Sequence, residues 1–207
     1  MNIKFTKIIE YFKTLRFKIL YYINQELAIQ ELENEKKANL EAIAYHEAGH
    51  AVANYIFEIP IECASILPED HYSGCVEISK KWIEKKFGED CEVKDTDPNS
   101  SIKLIHYSAI EKYCGGAAET KYRGYSNKEG NRTDRDIVKS VLKSRCSNEA
   151  KIDELEKGYE NSAAQMMEYP LNWKMVQSVA SALLEKKTLS QSELKEICDN
   201  VMKGEAP

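Results

Sequence analysis

The 207-residue sequence predicts a mainly α protein of the α+β kind, with a small β-sheet beside a helix that carries two histidines four residues apart. Three observations carry that expectation. Most of the chain repeats its apolar residues at intervals of three and four, the period of a helix with one buried face. Two short stretches with strand character, "IECASILP" and "GCVEIS", follow each other after Pro60. A hydrophobic content of 43% with 30% charged residues is enough for one packed domain and an appended arm.

Residues 3 to 37 read as one amphipathic helical arm, with Phe5, Ile8, Ile9, Phe12, Leu15, Ile19, Tyr22, Ile23 and Leu27 on one face. Its first half is basic on the other face; its second half, "QELENEKKANLE", is charged and solvated. Two readings of the stripe compete. It packs on protein, in this domain or a second copy, or it makes a peripheral contact with an anionic membrane surface. The domains are then 1–37 for the arm and 38–203 for the remainder. Residues 38 to 57 predict a second helix, ended by Pro60. The two strands join through a turn at "EDHYSG", and residues 82 to 100 read as a surface excursion. Helices are expected at 101–122, 134–145, 148–168 and 172–186. In the last piece, "TLSQSELKEICDNVMKG", Ser190 is an N-cap with Glu193 at the capping-box position.

The net charge of -5 argues against a general nucleic-acid binder, which carries a basic surplus. No Cys-x-x-Cys occurs among the six cysteines, and Lys4, Lys7, Lys13, Arg16 and Lys18 break the first apolar stretch. The expectation is reduced thiols in a cytoplasmic protein without a leader or spanning helix.

The chemistry is concentrated in "AIAYHEAGHAVANYIF". Residues four apart share a helix face, so His46 and His50 can aim two imidazole nitrogens at one ion. Glu47 is turned about 100° around the helix, beside the ion, where it can accept a proton from water. Ala48 and Gly49 leave room for a neighbouring helix to approach. A catalytic zinc keeps three protein ligands. For the third, His71, His106 and the downstream aspartates and glutamates all remain open on spacing alone.

The residues resemble the peptidase domain of the FtsH-type membrane-anchored AAA+ zinc proteases over about residues 38 to 200. "AYHEAGHAV" looks like that family's active-site helix, and "CASILPEDHYSGCVEIS" is similar to its following strand and loop. "YCGGAAETKYRG" looks like its Gly-Gly-x-Ala-Ala-Glu helix, "GNRTDRDIVKS" like its Gly-x-x-x-Asp segment, and "LLEKKTLSQSELKEI" like its final helix-turn-helix. The resemblance implies a helical zincin-like peptidase domain holding one Zn2+. It implies Asp134 as third ligand, with Asp136 the less suitable alternative because its spacing from Gly130 is wrong. Glu119 has two readings: it orients a ligand histidine through the other ring nitrogen, or it is an ordinary salt-bridged helix glutamate. Gly74, Cys75 and Val76 are the residues of an edge strand on which an extended substrate can pair.

The departures from the family are as informative. No Gly-x-x-x-x-Gly-Lys-[Ser/Thr] loop occurs, and about 40 residues precede the motif. The expectation is therefore an ATP-independent zinc endopeptidase acting on peptides or unfolded proteins, with Glu47 as base. The competing expectations are a non-catalytic peptidase-like module that presents its groove to a protein partner, and a membrane-surface adaptor using the first helix.

Overall fold

The computed structural model describes residues 2–68, 73–87, 98–128 and 130–205, with the side chains of 2–24, 87 and 98–102 outside the description. The chain divides into two units, Met1–Asn39 and Leu40–Pro207. In the first, the described side chains are exposed, Leu27, Ile29 and Leu32 among them. Most of the predicted apolar stripe lies outside the described side chains.

The elements run α1 (Asn2–Ile56), β1 (Ile61–Ser65), β2 (Cys75–Ile78), α2 (Lys80–Phe87), α3 (Pro98–Arg123), α4 (Arg132–Arg145), α5 (Glu149–Glu168), α6 (Pro170–Lys186), β3 (Thr188–Ser190) and α7 (Gln191–Lys203). The protein is mainly helical with one three-stranded antiparallel sheet, as the pattern predicts. Two expectations are corrected. The helices read at 3–37 and 38–57 are one α-helix, because "EKKANLEA" holds strong helix formers and no glycine or proline to stop it. The stretch read as an excursion from 82 to 100 contains the end of α2 and the start of α3, and 88–97 lie outside the described residues. The turn at 69–72 and His71 lie outside them too.

The second unit buries one face of α1, α3, α4, α5, α6 and α7. Ala44, Ala48, Ala51 and Val52 of α1 join Cys114 and Ala118 of α3, Val176, Val179 and Leu183 of α6, and Leu189 of β3 in one core. Each fully buried Val or Leu contributes about 1.5–3 kcal/mol over its exposed state. Small residues dominate the α1 and α3 faces, which lets their backbones approach. A Cβ on Gly49 would stand 2.4 Å from the Cys114 carbonyl oxygen and 2.8 Å from Ala118 Cβ.

α1 stops before Pro60 through a turn with Glu58 at φ 57. The chain then enters β1, the central strand, with β2 and β3 on either side. Ser65 pairs with Cys75, and Ala64 with Val76. β3 was missed by sequence reading because three residues between two helices are too few to show alternation. It is pinned by Ile66 N–H donating to the Lys187 carbonyl at 2.9 Å. Ser190 then caps α7 in a full capping box with Glu193, as its spacing predicts.

Candidate metal centre

Three elements meet at the histidine helix. α1 supplies His46, Glu47 and His50; α3 supplies Glu111, Gly115 and Glu119; the first turn of α4 supplies Asp134. His46 Nε2 and His50 Nε2 lie 3.1 Å apart. Asp134 Oδ2 is 3.4 Å from each of them. These three atoms form an almost equilateral triangle. Ligands at about 2.0–2.1 Å in a tetrahedral shell stand about 3.3 Å from one another, so the triangle has the dimensions of one face of such a shell.

The space in front of that triangle is kept by a missing side chain. A Cβ on Gly115 would lie 2.3 Å from His50 Nε2 and 2.8 Å from His46 Nε2. No residue larger than glycine fits there without displacing a histidine. His46, His50 and Asp134 can therefore hold a metal ion, and among the described residues no other cluster of three such side chains has this arrangement.

The other ring nitrogens fix which atoms face the ion. His50 Nδ1 lies 2.9 Å from the Glu111 carbonyl oxygen and 3.0 Å from Glu111 Oε1. His46 Nδ1 lies 3.3 Å from Glu119 Oε2. Both Nδ1 atoms face acceptors and so carry the proton, which leaves both Nε2 lone pairs toward the triangle. Glu119 is itself held by Arg123 Nε at 2.8 Å and by Asn127 Nδ2 at 2.9 Å, both on Oε1. It thus has both contacts that the two sequence readings proposed. Asn54 Nδ2 donates to the His50 carbonyl at 3.0 Å and contacts Glu111 Oε1 at 3.3 Å.

Glu111 was not singled out in the sequence. It is 2% exposed, more deeply buried than any of the predicted carboxylates. A signal was available: Glu111, Gly115 and Glu119 are each four apart, one stripe of α3. Lys112, also missed, places Nζ 3.5 Å from Glu111 Oε2 and 3.6 Å from Asp134 Oδ1. Asp136 lies away from the cluster, 70% exposed and 3.7 Å from Arg132 Nε. His106 Nδ1 is 2.7 Å from the Tyr159 hydroxyl and takes no part.

Glu47 is buried beside the triangle. A Cβ on Gly74 would lie 2.8 Å from Glu47 Cγ, 2.9 Å from Glu47 Oε1 and 2.8 Å from the Ser65 carbonyl. Gly74, at the mouth of β2, therefore limits the position of Glu47 as Gly115 limits that of the two histidines. Cys75 and Val76 follow directly in β2, whose far edge carries no strand among the described residues.

Burial raises the Glu47 pKa, and the nearby histidines pull it back only partly. Burial opposes the protonated form of His50, but Glu111 and Asp134 outweigh it and push the pKa up to about 10. His46 is raised in the same way, burial being outweighed by Asp134 and Glu119. Asp134 moves the other way: burial would raise it, yet the two histidines hold it well below the usual carboxylate range. A cluster of carboxylates thus demands positive charge at the two imidazoles.

No known protein family matches this chain, and no curated protein matches it.

Two outcomes follow from this geometry. Gly115→Ala removes zinc binding while circular dichroism shows the helices intact; retained affinity in a chelator competition would mean the triangle is not the site. Zinc binding near neutral pH releases about one to two protons per ion, and affinity weakens as pH falls, because both imidazoles must shed protons to bind. Calorimetry in buffers of different ionisation enthalpy measures the release, and none would contradict the raised histidine values.

Proposed function

We propose that the chain is an ATP-independent zinc endopeptidase of the kind its resemblance to the FtsH-type peptidase domain implies, hydrolysing peptides or unfolded proteins. The observation that carries the reading is the juxtaposition of a three-ligand triangle with a buried carboxylate that does not belong to it. A structural zinc site closes its shell with a fourth protein ligand and has no use for a base. Two histidines and one carboxylate are a donor set of catalytic zinc sites, and the same set accepts other divalent ions.

A bound zinc ion supplies Lewis acidity, polarising the scissile carbonyl and lowering the pKa of water to about 7. Glu47 accepts the proton of the attacking water and passes it to the leaving amine as the C–N bond breaks. Its raised pKa brings it nearer the working pH, where such transfers are most effective. Glu111 and Glu119 hold the imidazoles so that Nε2 stays directed inward. Gly74 leaves the carboxylate of Glu47 its place against the mouth of β2. An extended substrate adds to the far edge of β2, where main-chain pairing tolerates many sequences. Among the described residues no helix is long and apolar enough to span a membrane.

The first test is cleavage of an unfolded, fluorescently labelled protein without ATP, by zinc-loaded wild type and Glu47→Gln. Glutamine keeps shape and metal but accepts no proton, so turnover drops about 100- to 10,000-fold. Inactive wild type with zinc bound and fold intact would turn the reading toward a groove that binds a protein partner without cutting it. Val76→Pro separates the role of the edge: cleavage of long peptides falls more than cleavage of short ones. Equal loss on both would remove β2 from substrate binding.

A further inference from the structure

The two histidines and the aspartate are placed by different means. His46 and His50 stand on α1, which packs directly on α3, so the core sets their positions. Asp134 stands in the first turn of α4, after the chain has left α3 and turned at Gly124, φ 78. Its Oδ2 nevertheless lies 3.4 Å from both Nε2 atoms, so the start of α4 must be tied to α3. Asn127 supplies such a tie. Its Nδ2 donates to Glu119 Oε1 at 2.9 Å. Its Oδ1 accepts from the Gly130 N–H at 3.1 Å, and its carbonyl accepts from the Asn131 N–H at 3.2 Å.

The two ends of this amide bear on different ligands. The Nδ2 end acts on His46, because Glu119 meets His46 Nδ1 at 3.3 Å through its other oxygen, Oε2. The Oδ1 end and the carbonyl hold the backbone that enters α4 just before Asp134. The contacts close a ring from Asn127 through Glu119, His46, Asp134 and the first turn of α4 to Gly130 and back. Arg123 also holds Glu119 Oε1, at 2.8 Å, but it lies one turn on in the same helix and does so wherever α4 stands. Two glycines keep the ring tight. A Cβ on Gly130 would stand 2.4 Å from Asn127 Nδ2, in the place of the amide. A Cβ on Gly116 would stand 2.5 Å from Asn131 Nδ2. Asn131 is the N-cap of α4, yet its side chain makes no capping bond and lies against Gly116 instead. The start of α4 therefore rests on α3 at two points, Gly116 and Glu119.

We propose that Asn127 is a positioning residue that sets His46 and Asp134 relative to each other, through Glu119 on one side and the entry to α4 on the other. This rests on the metal centre and not on the peptidase reading. An asparagine that accepts from an N–H a few residues on is an ordinary turn device. A turn alone has no need of the second bond, which reaches back eight residues to the carboxylate that orients a ligand imidazole. That bond makes one event of two requirements: the ring of His46 takes its orientation and Asp134 its place together. Partners outside the ligand set matter to metal affinity because they fix the direction of the ligand lone pairs. Asn127 does this for one ligand and places the backbone of another.

The test compares wild type with Asn127→Ser, Gly130→Ala and the two combined, each checked for its helices by circular dichroism. Serine keeps a neutral acceptor for the Gly130 N–H but is too short to reach Glu119. Zinc affinity by chelator competition falls about 10-fold in Asn127→Ser, the lower end for a partner outside the ligand set, because Arg123 still holds Glu119. Gly130→Ala, whose methyl takes the place of the amide, loses a similar factor, and the double variant is no weaker than the worse single one. The second readout is the Nδ1 proton of each histidine in nitrogen-15 spectra of the zinc-loaded protein. The His46 signal moves or broadens in Asn127→Ser, and the His50 signal stays, because Glu111 holds it from another part of α3. Unchanged zinc affinity, additive losses in the double variant, or equal disturbance of both histidines overturns the role. Should Asn127→Ser fail to fold, Asn127→Asp keeps the acceptor for Gly130 and loses the donor to Glu119: a selective change at His46 supports the role, and an undisturbed His46 overturns it. A wild type that binds no zinc overturns the role together with the metal centre. Turnover is not read, so a failed cleavage assay with zinc bound bears on the peptidase reading alone.

Discussion

The close approach of α1 and α3 is the constraint on which the site depends. No side chain intervenes between Gly49 and the Cys114 carbonyl, and none fills the space between Gly115 and the two histidine Nε2 atoms. At an ordinary helix separation of about 8–10 Å, set by the side chains at the contact, Glu111 and Glu119 would not reach the imidazoles. Glycine inside a helix costs about 0.5–1 kcal/mol against alanine. That cost is offset by the contacts that proximity permits: both Nδ1 atoms satisfied from α3, and an uninterrupted core of Ala44, Ala48, Ala51, Cys114 and Ala118 beneath them.

A second consequence is electrostatic. Four carboxylates, from Glu47, Glu111, Glu119 and Asp134, surround two imidazoles in a largely buried space. Removing carboxylates from water is expensive unless each is paired. Glu119 has Arg123 and Asn127, and Glu111 has His50, Asn54 and Lys112. Asp134 has the two histidines and Lys112. Glu47 faces Gly74 instead of a cation in contact. The carboxylate assigned the base role is thus the least compensated of the four: burial raises its pKa, whereas the histidines and cations beside Glu111, Glu119 and Asp134 hold theirs below the usual carboxylate range despite burial. Environment, not residue type, separates a proton acceptor from ligands and orienting groups.

How much of this was legible in the sequence depends on the range over which each contact is made. His46, Glu47 and His50 lie within one and a half turns of one helix, so the helical period alone aligns them. The capping box at Ser190 and the paired strands at 61–65 and 75–78 are equally local. Asp134 is 84 residues beyond His50, and only a likeness to a known motif pointed to it. The four-residue spacing of Glu111, Gly115 and Glu119 is visible in the sequence but does not by itself separate Glu111 from a solvated helix residue, and Lys112 carries no such signal; the distinction arises when α3 turns that stripe to α1. The helix end expected at 37/38 is absent for the opposite reason. A change from apolar to charged pattern was read as an end, but a helix ends where its backbone is broken or capped, and neither happens there.

Gly74 shows how the small sheet belongs to the chemistry and is not an appendage to it. β1 is held between β2 and β3, and β3 is tied to the end of α6 through Lys187. The Ser65 carbonyl that limits Gly74 therefore sits on a strand fixed from both sides. Gly74 cannot retreat from Glu47, because Ser65 stands within contact of the same missing Cβ. The position of the buried carboxylate is thereby coupled to the register of the strand that begins at Cys75. A one-residue slip of β2 would bring a side chain against Glu47 and turn every residue of the strand to its other face. Strand register, the position of Glu47 and the outer edge of β2 are one constraint in this fold, set by a residue with no side chain.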